Sequence, residues 1–217
     1  MALEEMAAFF ERRLDGYDSH MLNNIDSARD FYPFTAGCLS KEKHCRILDL
    51  GCGTGLELEF YFAANPTARV TGIDLSGGML QALQAKFPGK ALTLVHGSYF
   101  RVPFGEETFD AAVSVESLHH FTQVEKTALY ARLYRALKVA GYFILTDYFA
   151  LSDGEEALFR QQMEEAMAAQ GIADETLYHF DTPLTVAHET QALLDAGFSR
   201  VEVLGHWGAT HTLKAVK

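Results

Sequence analysis

The sequence predicts an α/β fold in which a doubly wound, mainly parallel sheet of seven strands ends in a C-terminal antiparallel hairpin. Short apolar runs alternate with helical patterns, which is typical of a parallel sheet covered by helices on both faces. The last two apolar runs are separated only by Trp207, Gly208 and Ala209. Because so short a link permits only an antiparallel pair, these final strands are predicted to form the hairpin.

Each strand is predicted where a short, β-rich apolar run occurs, at 45–50, 69–74, 92–96, 109–115, 142–149, 200–206 and 210–216. The helices are predicted at the start of the chain and between these runs, at 3–14, 22–39, 56–64, 77–87, 123–137, 153–179 and 185–196. A turn-rich break at 15–19 separates the first two helices. Gly197 follows the last helix, as expected of a residue that ends one.

A single domain, 1–217, is expected because no repeat, low-complexity tract or obvious linker divides the chain. Within it, 1–40 is predicted to form a helical N-terminal cap and 150–184 a helical lid or insertion. The formal net charge of −11 disfavours nucleic acid and anionic membranes as partners. No apolar run could span a membrane and the start lacks a signal-peptide pattern, so a cytoplasmic protein is expected. The sequence does not indicate an oligomeric state.

The cysteines and histidines show no metal-binding pattern. Cys38, Cys45 and Cys52 lack the CxxC spacing, and the nine histidines include no HExxH motif. We therefore expect three free thiols, buried or half-buried, and no metal site.

The richest motif is the glycine loop, residues 51–55, which reads Gly-Cys-Gly-Thr-Gly between a predicted strand and a predicted helix. Glycine permits positive φ and lacks the Cβ that would block a ligand lying on the backbone. Asp74 ends the second strand, 19 residues beyond Gly55, where its carboxylate can accept hydrogen bonds from both hydroxyls of a ribose. The loop and Asp74 together predict a cofactor that contains adenosine.

The spacing of the loop distinguishes between such cofactors. A dinucleotide fingerprint would place its third glycine at position 56, which is Leu56 in this chain. Asp49 stands two residues before the loop, where it would repel a pyrophosphate and attract an amino-bearing ligand.

These residues resemble motif I (49–55) of the class I S-adenosylmethionine (SAM)-dependent methyltransferases, a Rossmann-like family. Four later segments are similar to the same family in the same order: 74–76 with Met79 and Leu80, 109–114 with 118–121, 137–142, and 196–198 before the hairpin. The resemblance covers residues 40–217.

The resemblance implies SAM as cofactor, with Asp49 near its methionine amino group, Asp74 on the ribose, and Leu75 and Met79 on the adenine. The cofactor-binding residues that it implies are Asp49, Gly51, Cys52, Gly53, Gly55, Asp74, Leu75, Met79, Gly97, Ser98, Tyr99 and Val115. Many members carry Asp where this chain has Ser98, a neutral and therefore weaker acceptor for the adenine amino group. Stacking by Tyr99 would compensate.

The activity that the resemblance implies is methyl transfer to a small molecule, with the acceptor atom open among O, N, C and S. Candidate catalytic residues are His119 and His120, which follow the fourth strand at the edge that carries the glycine loop, and Tyr17 in the cap. The competing interpretation for the histidines is that one packs on or caps the next helix while the other is exposed. The acidic segment that begins at 153 further disfavours a nucleic-acid substrate.

Two functions from other classes are weighed against this one. A nicotinamide-dependent oxidoreductase would need the dinucleotide fingerprint and would lack the terminal hairpin. A SAM-binding protein that does not methylate, either a regulator or a protein similar to carboxy-SAM synthases, would share the motifs. A protein similar to carboxy-SAM synthases would need a basic residue near the sulfonium, and no motif places Arg13, Arg29 or Arg200 there.

Overall fold

The computed structural model describes residues 2–172 and 176–217. Its helices are α1 (Met6–Arg12), α2 (Tyr17–Asn24), α3 (Ala28–Cys38), α4 (Leu56–Ala64), α5 (Gly77–Lys86), α6 (Gln123–Ala136), α7 (Asp153–Ala169) and α8 (Val186–Asp195). Its strands are β1 (Glu4–Glu5), β2 (Arg46–Leu50), β3 (Arg69–Asp74), β4 (Ala91–His96), β5 (Phe109–Val115), β6 (Leu137–Tyr148), β7 (Tyr178–His179), β8 (Arg200–Trp207) and β9 (Thr210–Val216).

The central sheet has seven strands in the order β4-β3-β2-β5-β6-β9-β8. The first five are parallel, and β9 pairs antiparallel with both β6 and β8. The predicted fold class is therefore confirmed, including the C-terminal hairpin. The strand order reverses between β2 and β5, and ligands bind to open α/β sheets at the carboxyl ends of the strands beside such a reversal.

Strand β2 shows why the sheet strands are apolar on both sides. Ile47 packs into the core on one face of the sheet, and Leu48 and Leu50 pack into the core on the other. All three side chains are fully buried. Because alternate residues of a strand point to opposite faces, burial on both faces produces a continuous apolar run rather than an alternating pattern.

The N-terminal segment differs from its prediction. The helix predicted at 3–14 is shorter, because Glu4–Glu5 instead pairs antiparallel with Tyr178–His179 in a separate two-stranded sheet. The turn predicted at 15–19 is confined to its first residues, since α2 already begins at Tyr17 after Gly16. The single helix predicted at 22–39 is divided into α2 and α3, because Ser27 adopts a left-handed conformation with φ of 57°.

The acidic segment after β6 also differs from its prediction. The helix predicted at 153–179 ends at Ala169, and β7 follows. Residues 173–175 of that prediction lie outside the described residues. The β1–β7 pair ties this segment to the start of the chain, so that both pass over the carboxyl edge of the central sheet.

The three thiols are free, with Cys45 and Cys52 buried and Cys38 half-buried, as predicted. Over the residues that the structure describes, we find no helix that combines the length and the apolar character needed to cross a bilayer.

Candidate active site

The glycine loop connects the carboxyl end of β2 to the start of α4. Gly51, Gly53 and Gly55 have φ angles of 71°, 48° and 72°, a left-handed conformation that favours glycine. A Cβ at Gly51 would lie 2.0 Å from Ser117 Oγ, so the loop also approaches the segment after β5 too closely for a side chain. The predicted backbone cradle is therefore present.

Asp74, at the end of β3, is hydrogen-bonded to both flanking turns. Its Oδ2 accepts from the amide of Gly53 at 2.8 Å, and its Oδ1 accepts from the amide of Ser76 at 2.8 Å. A carboxylate oxygen has two lone pairs, so each oxygen can accept one more hydrogen bond from a hydroxyl. This arrangement fits the predicted ribose diol, and it orients Asp74 through the glycine loop itself.

Asp49 and Glu57 form a pair of buried carboxyl groups next to the glycine loop. Asp49 is 1% exposed near the end of β2, and Glu57 is 4% exposed in the first turn of α4. Burial raises the pKa of both groups, and the neighbouring Glu57 charge raises that of Asp49 further. Asp49 Oδ2 and Glu57 Oε1 have no hydrogen-bond partner within the described part of the chain. A cationic ligand group would supply that partner.

A smaller cavity of about 510 Å³ lies beside the end of β3. It is lined by Leu75 and Ser98, both predicted to meet the adenine, and by Phe100. Ser98 Oγ accepts a hydrogen bond from the amide of Phe100 at 3.2 Å, and an acceptor lone pair remains for a ligand.

Of the twelve residues predicted to bind the cofactor, Leu75 and Ser98 line the smaller cavity. The other ten line neither described cavity: Asp49, Gly51, Cys52, Gly53, Gly55, Asp74, Met79, Gly97, Tyr99 and Val115. Met79 and Val115 are buried, with 1% and 8% of their surface exposed. Tyr99 is buried as well, and its ring packs against Phe100 and Phe121, beside Gly51; its stacking on an adenine stays a prediction. Its hydroxyl donates to the carbonyl of Ser117 at 3.1 Å. Tyr99 therefore supports the glycine loop from the protein side.

Cys52 and Gly97 complete the predicted set. Cys52 is buried, and its Sγ would lie 2.7 Å from a Cβ at Gly72, so Gly72 makes room for the loop. Gly97 follows β4, and its amide donates to the carbonyl of Asp74 at 2.9 Å.

A larger cavity of about 830 Å³, which we call the cap cavity, lies between the N-terminal helices and the carboxyl edge of the sheet. Its aromatic wall comes from the first helices and from the hairpin: Phe9, Phe10, Tyr17 and Trp207. Its polar wall comes from the segments after β5 and β7: Glu116, His119, His120 and Asp181. All three predicted catalytic residues therefore face one cavity.

Tyr17 connects the cap cavity to the glycine loop. Its ring lies 3.9 Å from the position of a Cβ at Gly53, and the same residue lines the cavity. Burial raises the pKa of its hydroxyl, and the carboxylates of Asp74 and Glu57 raise it further. Tyr17 therefore remains a neutral phenol at physiological pH, able to donate a hydrogen bond.

His119 is held by a buried carboxylate at the end of β6. Its Nδ1 lies 2.5 Å from Asp147 Oδ1, and Asp147 Oδ2 accepts from the amide of Leu118 at 2.8 Å. Burial opposes the charged form of the ring, but Asp147 outweighs burial and raises the pKa of His119 to about 9. The ring is thus protonated at pH 7 when nothing else binds it.

His120 is directed by the segment that contains β7. Its Nδ1 lies 3.1 Å from the carbonyl of Phe180 and 3.2 Å from Asp181 Oδ1. Burial and the neighbouring His119 lower its pKa. The side chain of Asp181 is 47% exposed at the mouth of the cavity. Partial burial opposes the charged form of that carboxylate, but His120 and His119 outweigh burial and lower the pKa of Asp181.

The exposed histidine and the helix-capping histidine of the competing interpretation are not found, and the catalytic role of both residues stays a prediction. Each is only 9% exposed, and neither caps α6, because Thr122 accepts from the amide of Glu125 in a capping box. The structure also brings together a group that could hold a metal ion: His119, His120 and Asp181 present ligand atoms within 4.8 Å of one another. Sequence spacing missed this group because Asp181 lies on a distant segment.

The N-terminal helices are fastened to the cofactor side of the sheet by two acidic residues that the sequence did not single out. Glu11 Oε2 accepts from Ser76 Oγ at 2.5 Å and from the amide of Gly78 at 3.1 Å. Asp18 accepts from Thr54 Oγ1 and pairs with Lys86 at 2.6 Å. Glu11 thus joins the cap to the turn after Asp74, and Asp18 joins it to Thr54 in the glycine loop and to Lys86 at the end of α5.

The arginines considered for a carboxylate site have other partners. Arg13 lines the cap cavity, but it pairs with Glu4 at 3.4 Å and lies over the ring of Phe9. Arg29 donates to Asn23, and Arg200 pairs with Glu202 on β8.

Solved structures share this fold. The SAM-dependent methyltransferase of Mesorhizobium loti superposes with a TM-score of 0.61 at 21% identity, covering 85% of this chain and 96% of that one. The methyltransferase in complex with the Haloferax volcanii Trm112 activator gives 0.68 at 18% identity, covering 95% and 96%. Human N-acetylserotonin methyltransferase, solved with SAM, gives 0.64 at 17% identity, covering 96% and 55%.

Curated relatives match in sequence. The biotin biosynthesis bifunctional protein BioHC of Teredinibacter turnerae is 27% identical over 202 residues, which covers 89% of this chain and 34% of the relative. The demethylmenaquinone methyltransferase of Thermobifida fusca is 31% identical over 150 residues, which covers 66% of this chain and 61% of the relative. The chain thus spans less than two thirds of each of these relatives.

The fold and the site define a Rossmann-like protein built to bind an adenosine-containing cofactor. Residues 47–141 match the methyltransferase-domain family, and this stretch contains both the glycine loop and Asp74. The chain belongs to the class I SAM-dependent methyltransferases, as its motifs predict, and the cofactor of this family is SAM.

Proposed function

We propose that this protein transfers the methyl group of SAM to a small-molecule acceptor held in the cap cavity. One observation carries the proposal: Tyr17 both lines the cap cavity and lies against Gly53 of the glycine loop. A molecule in the cavity would therefore adjoin whatever the loop binds.

The cofactor is proposed to lie along the glycine loop. Asp74 would accept the ribose hydroxyls, Asp49 would attract the methionine amino group, and Leu75 and Ser98 would meet the adenine. The remaining residues would shape the loop and its surroundings: Gly51, Cys52, Gly53, Gly55, Met79, Gly97, Tyr99 and Val115. The unpartnered oxygens of Asp49 and Glu57 support a positively charged ligand group at this place.

Bound SAM supplies a methyl group on a sulfonium, so that the acceptor atom bonds to the methyl carbon while the carbon–sulfur bond breaks and its electron pair stays on sulfur. The protein must hold the acceptor in line with that bond and keep water out. Orientation of this kind supplies roughly 7–11 kcal/mol. The aromatic wall of the cap cavity can exclude water, and Tyr17, His119 and His120 can orient a polar acceptor.

The acceptor is proposed to be a small molecule rather than a nucleic acid. A volume of about 830 Å³ is within the range of small-ligand sites, and the wall of the cavity carries the carboxylates of Glu116 and Asp181. The carboxylate of Asp181 and the net charge of −11 would repel a polyanion, whereas burial raises the pKa of Glu116 to about 8. Relatives named for demethylmenaquinone and fatty-acid substrates suggest the kinds of acceptor to test first.

The test begins with calorimetric titration of the protein with SAM, with its demethylated product and with NAD. We expect micromolar binding of SAM or its product and none of NAD. Formation of the demethylated product is then measured with a panel of small acceptors, including a demethylmenaquinone and a fatty acid. Binding of NAD alone would overturn the proposal. SAM binding without methylation of any acceptor would favour the SAM-binding protein that does not methylate.

A further inference from the structure

We propose that His119, His120 and Asp181 bind a divalent transition-metal ion at the polar wall of the cap cavity, with Zn²⁺ as the first candidate. The three side chains lie on two segments, after β5 and after β7, that meet only in the folded chain. Two imidazoles and a carboxylate form a donor set that zinc prefers.

The spacing of the ligand atoms fits a single ion. Asp181 Oδ1 lies 3.6 Å from His119 Nε2 and 3.2 Å from His120 Nδ1. Metal–ligand bonds of 2.0–2.1 Å in a tetrahedron place neighbouring ligand atoms about 3.3 Å apart. Both Asp181 distances therefore lie within a few tenths of an ångström of that spacing, and the ligand atoms of the two histidines lie within 4.8 Å of each other.

The surroundings of His119 match those of a metal ligand. Asp147 binds its Nδ1 at 2.5 Å, and Asp147 itself accepts from the amides of Leu118 and Tyr148. Metal-bound histidines almost always direct their other ring nitrogen to such a carboxylate, which orients the ring and raises its basicity. This contact directs Nε2 of His119 toward Asp181.

In the protein without metal, the ring nitrogen of His120 that would bind the ion already has a hydrogen-bond partner. His120 Nδ1 lies within hydrogen-bonding distance of the carbonyl of Phe180, at 3.1 Å, and this nitrogen must lose its proton to bind a metal. His119 is protonated at pH 7 as well, so its Nε2 must also release a proton to bind an ion. The carboxylates of Asp147 and Asp181 face the two rings and would attract a divalent cation in place of these protons.

Three protein ligands leave a coordination position open, and all three line the cap cavity. Sites with three protein ligands and an open position are typical of catalytic rather than structural zinc. The chemical class of ligand for that position is a molecule with a hydroxyl or carboxylate oxygen. The identification of that molecule as the methyl acceptor rests on the proposed function. The binding of a metal ion does not rest on it.

The experiment uses the full chain, stripped with a chelator and titrated with Zn²⁺ by calorimetry and with Co²⁺ by visible absorption. We expect one ion per chain with micromolar or tighter affinity, and the intense visible bands of tetrahedral Co²⁺. The variants His120→Ala and Asp181→Asn should each weaken binding at least tenfold. The matched control is His44→Asn, because His44 is exposed, lies before β2 and has a left-handed backbone that asparagine tolerates.

Absence of stoichiometric binding, or binding that both variants retain, would overturn the proposal. Circular dichroism of each variant shows whether lost binding reflects lost folding, and Asp181→Asn provides the second test because that side chain is half exposed. SAM affinity is measured on the same samples. If the protein binds SAM but no metal ion, the metal site is wrong and the proposed function is unaffected. If it binds a metal ion but not SAM, the proposed function is wrong and the metal site is unaffected.

Discussion

Asp147 holds His119 through a contact of 2.5 Å between Oδ1 and Nδ1, at the carboxyl end of β6. The two residues come from neighbouring strand ends, β5 and β6, which are parallel and paired. The contact holds Nδ1 of the imidazole against the protein interior, so that Nε2 faces the cap cavity. The polar wall of the cavity is therefore ordered before any ligand arrives.

Replacing Asp147 with asparagine should weaken metal binding by about 10–100-fold, the usual effect of removing the carboxylate behind a metal-bound histidine. The amide keeps the shape of the side chain but removes the charge that supports His119. Co²⁺ titration measures the effect. SAM affinity should stay unchanged, because the hydrogen bonds described for Asp147 go to Leu118, His119 and Tyr148, which are not among the residues predicted to bind the cofactor. Equal Co²⁺ affinity in the variant and the parent would show that the carboxylate does not support a ligand.

Asp74→Ala should weaken SAM binding by about 1.5–3 kcal/mol, because a charged acceptor of hydrogen bonds is lost. The variant also leaves the amides of Gly53 and Ser76 without their partner, so the loop loses part of its orientation. Calorimetry measures the change. Asp195→Ala is the matched control, since Asp195 is exposed in the last turn of α8 and accepts only from Gln191 among the bonds described. Unchanged affinity in Asp74→Ala would remove this residue from the site.

Asp49→Asn should stabilise the protein without cofactor at neutral and alkaline pH. Burial raises the pKa of Asp49 above its usual 3.8, so the folded state prefers the neutral acid. A raised pKa contributes stability below 3.8 that is lost as pH rises through the folded-state value. Asparagine is never charged, so its advantage should be absent near pH 3.8 and grow with pH.

Urea unfolding of both proteins at about pH 4 and at pH 8 measures this difference, with Glu57→Gln as the companion variant. Asp49→Asn should also bind SAM more weakly, because the attraction for the amino group is gone. A variant that is no more stable than the parent at pH 8 would show that the ionised carboxyl has a partner in solution.

Asp18→Ala should accelerate release of SAM severalfold, because Asp18 joins the cap to Thr54 and Lys86 beside the glycine loop. Thermal stability should change little, since the pair with Lys86 is partly exposed and such pairs contribute at most about 1 kcal/mol. Stopped-flow displacement of SAM measures the rate. Release as slow as in the parent would mean that this contact does not help to close the cap.

The sheet and the glycine loop could be predicted because their signals are local. Apolar runs such as 109–115 reflect burial on both faces, and the spacing from Gly55 to Asp74 reflects a strand, a loop and a helix of ordinary length. The N-terminal helices were predicted less well, since Ser27 takes a left-handed conformation that its residue type does not indicate. The direction of the Tyr99 side chain could not be predicted for a similar reason, because it depends on Phe121 and Ser117.

The sequence alone was sufficient to predict the fold, the family and the cofactor. Each of these predictions rests on residues that lie close together in the chain or on motifs that follow one another in a fixed order. The polar wall of the cap cavity depends on folding. Asp181 reaches His119 and His120, and Glu57 comes to lie beside Asp49, only when helices and strands pack. Such pairs carry no periodic signal, because the chain between them is long and their distance is determined by the packing of whole elements.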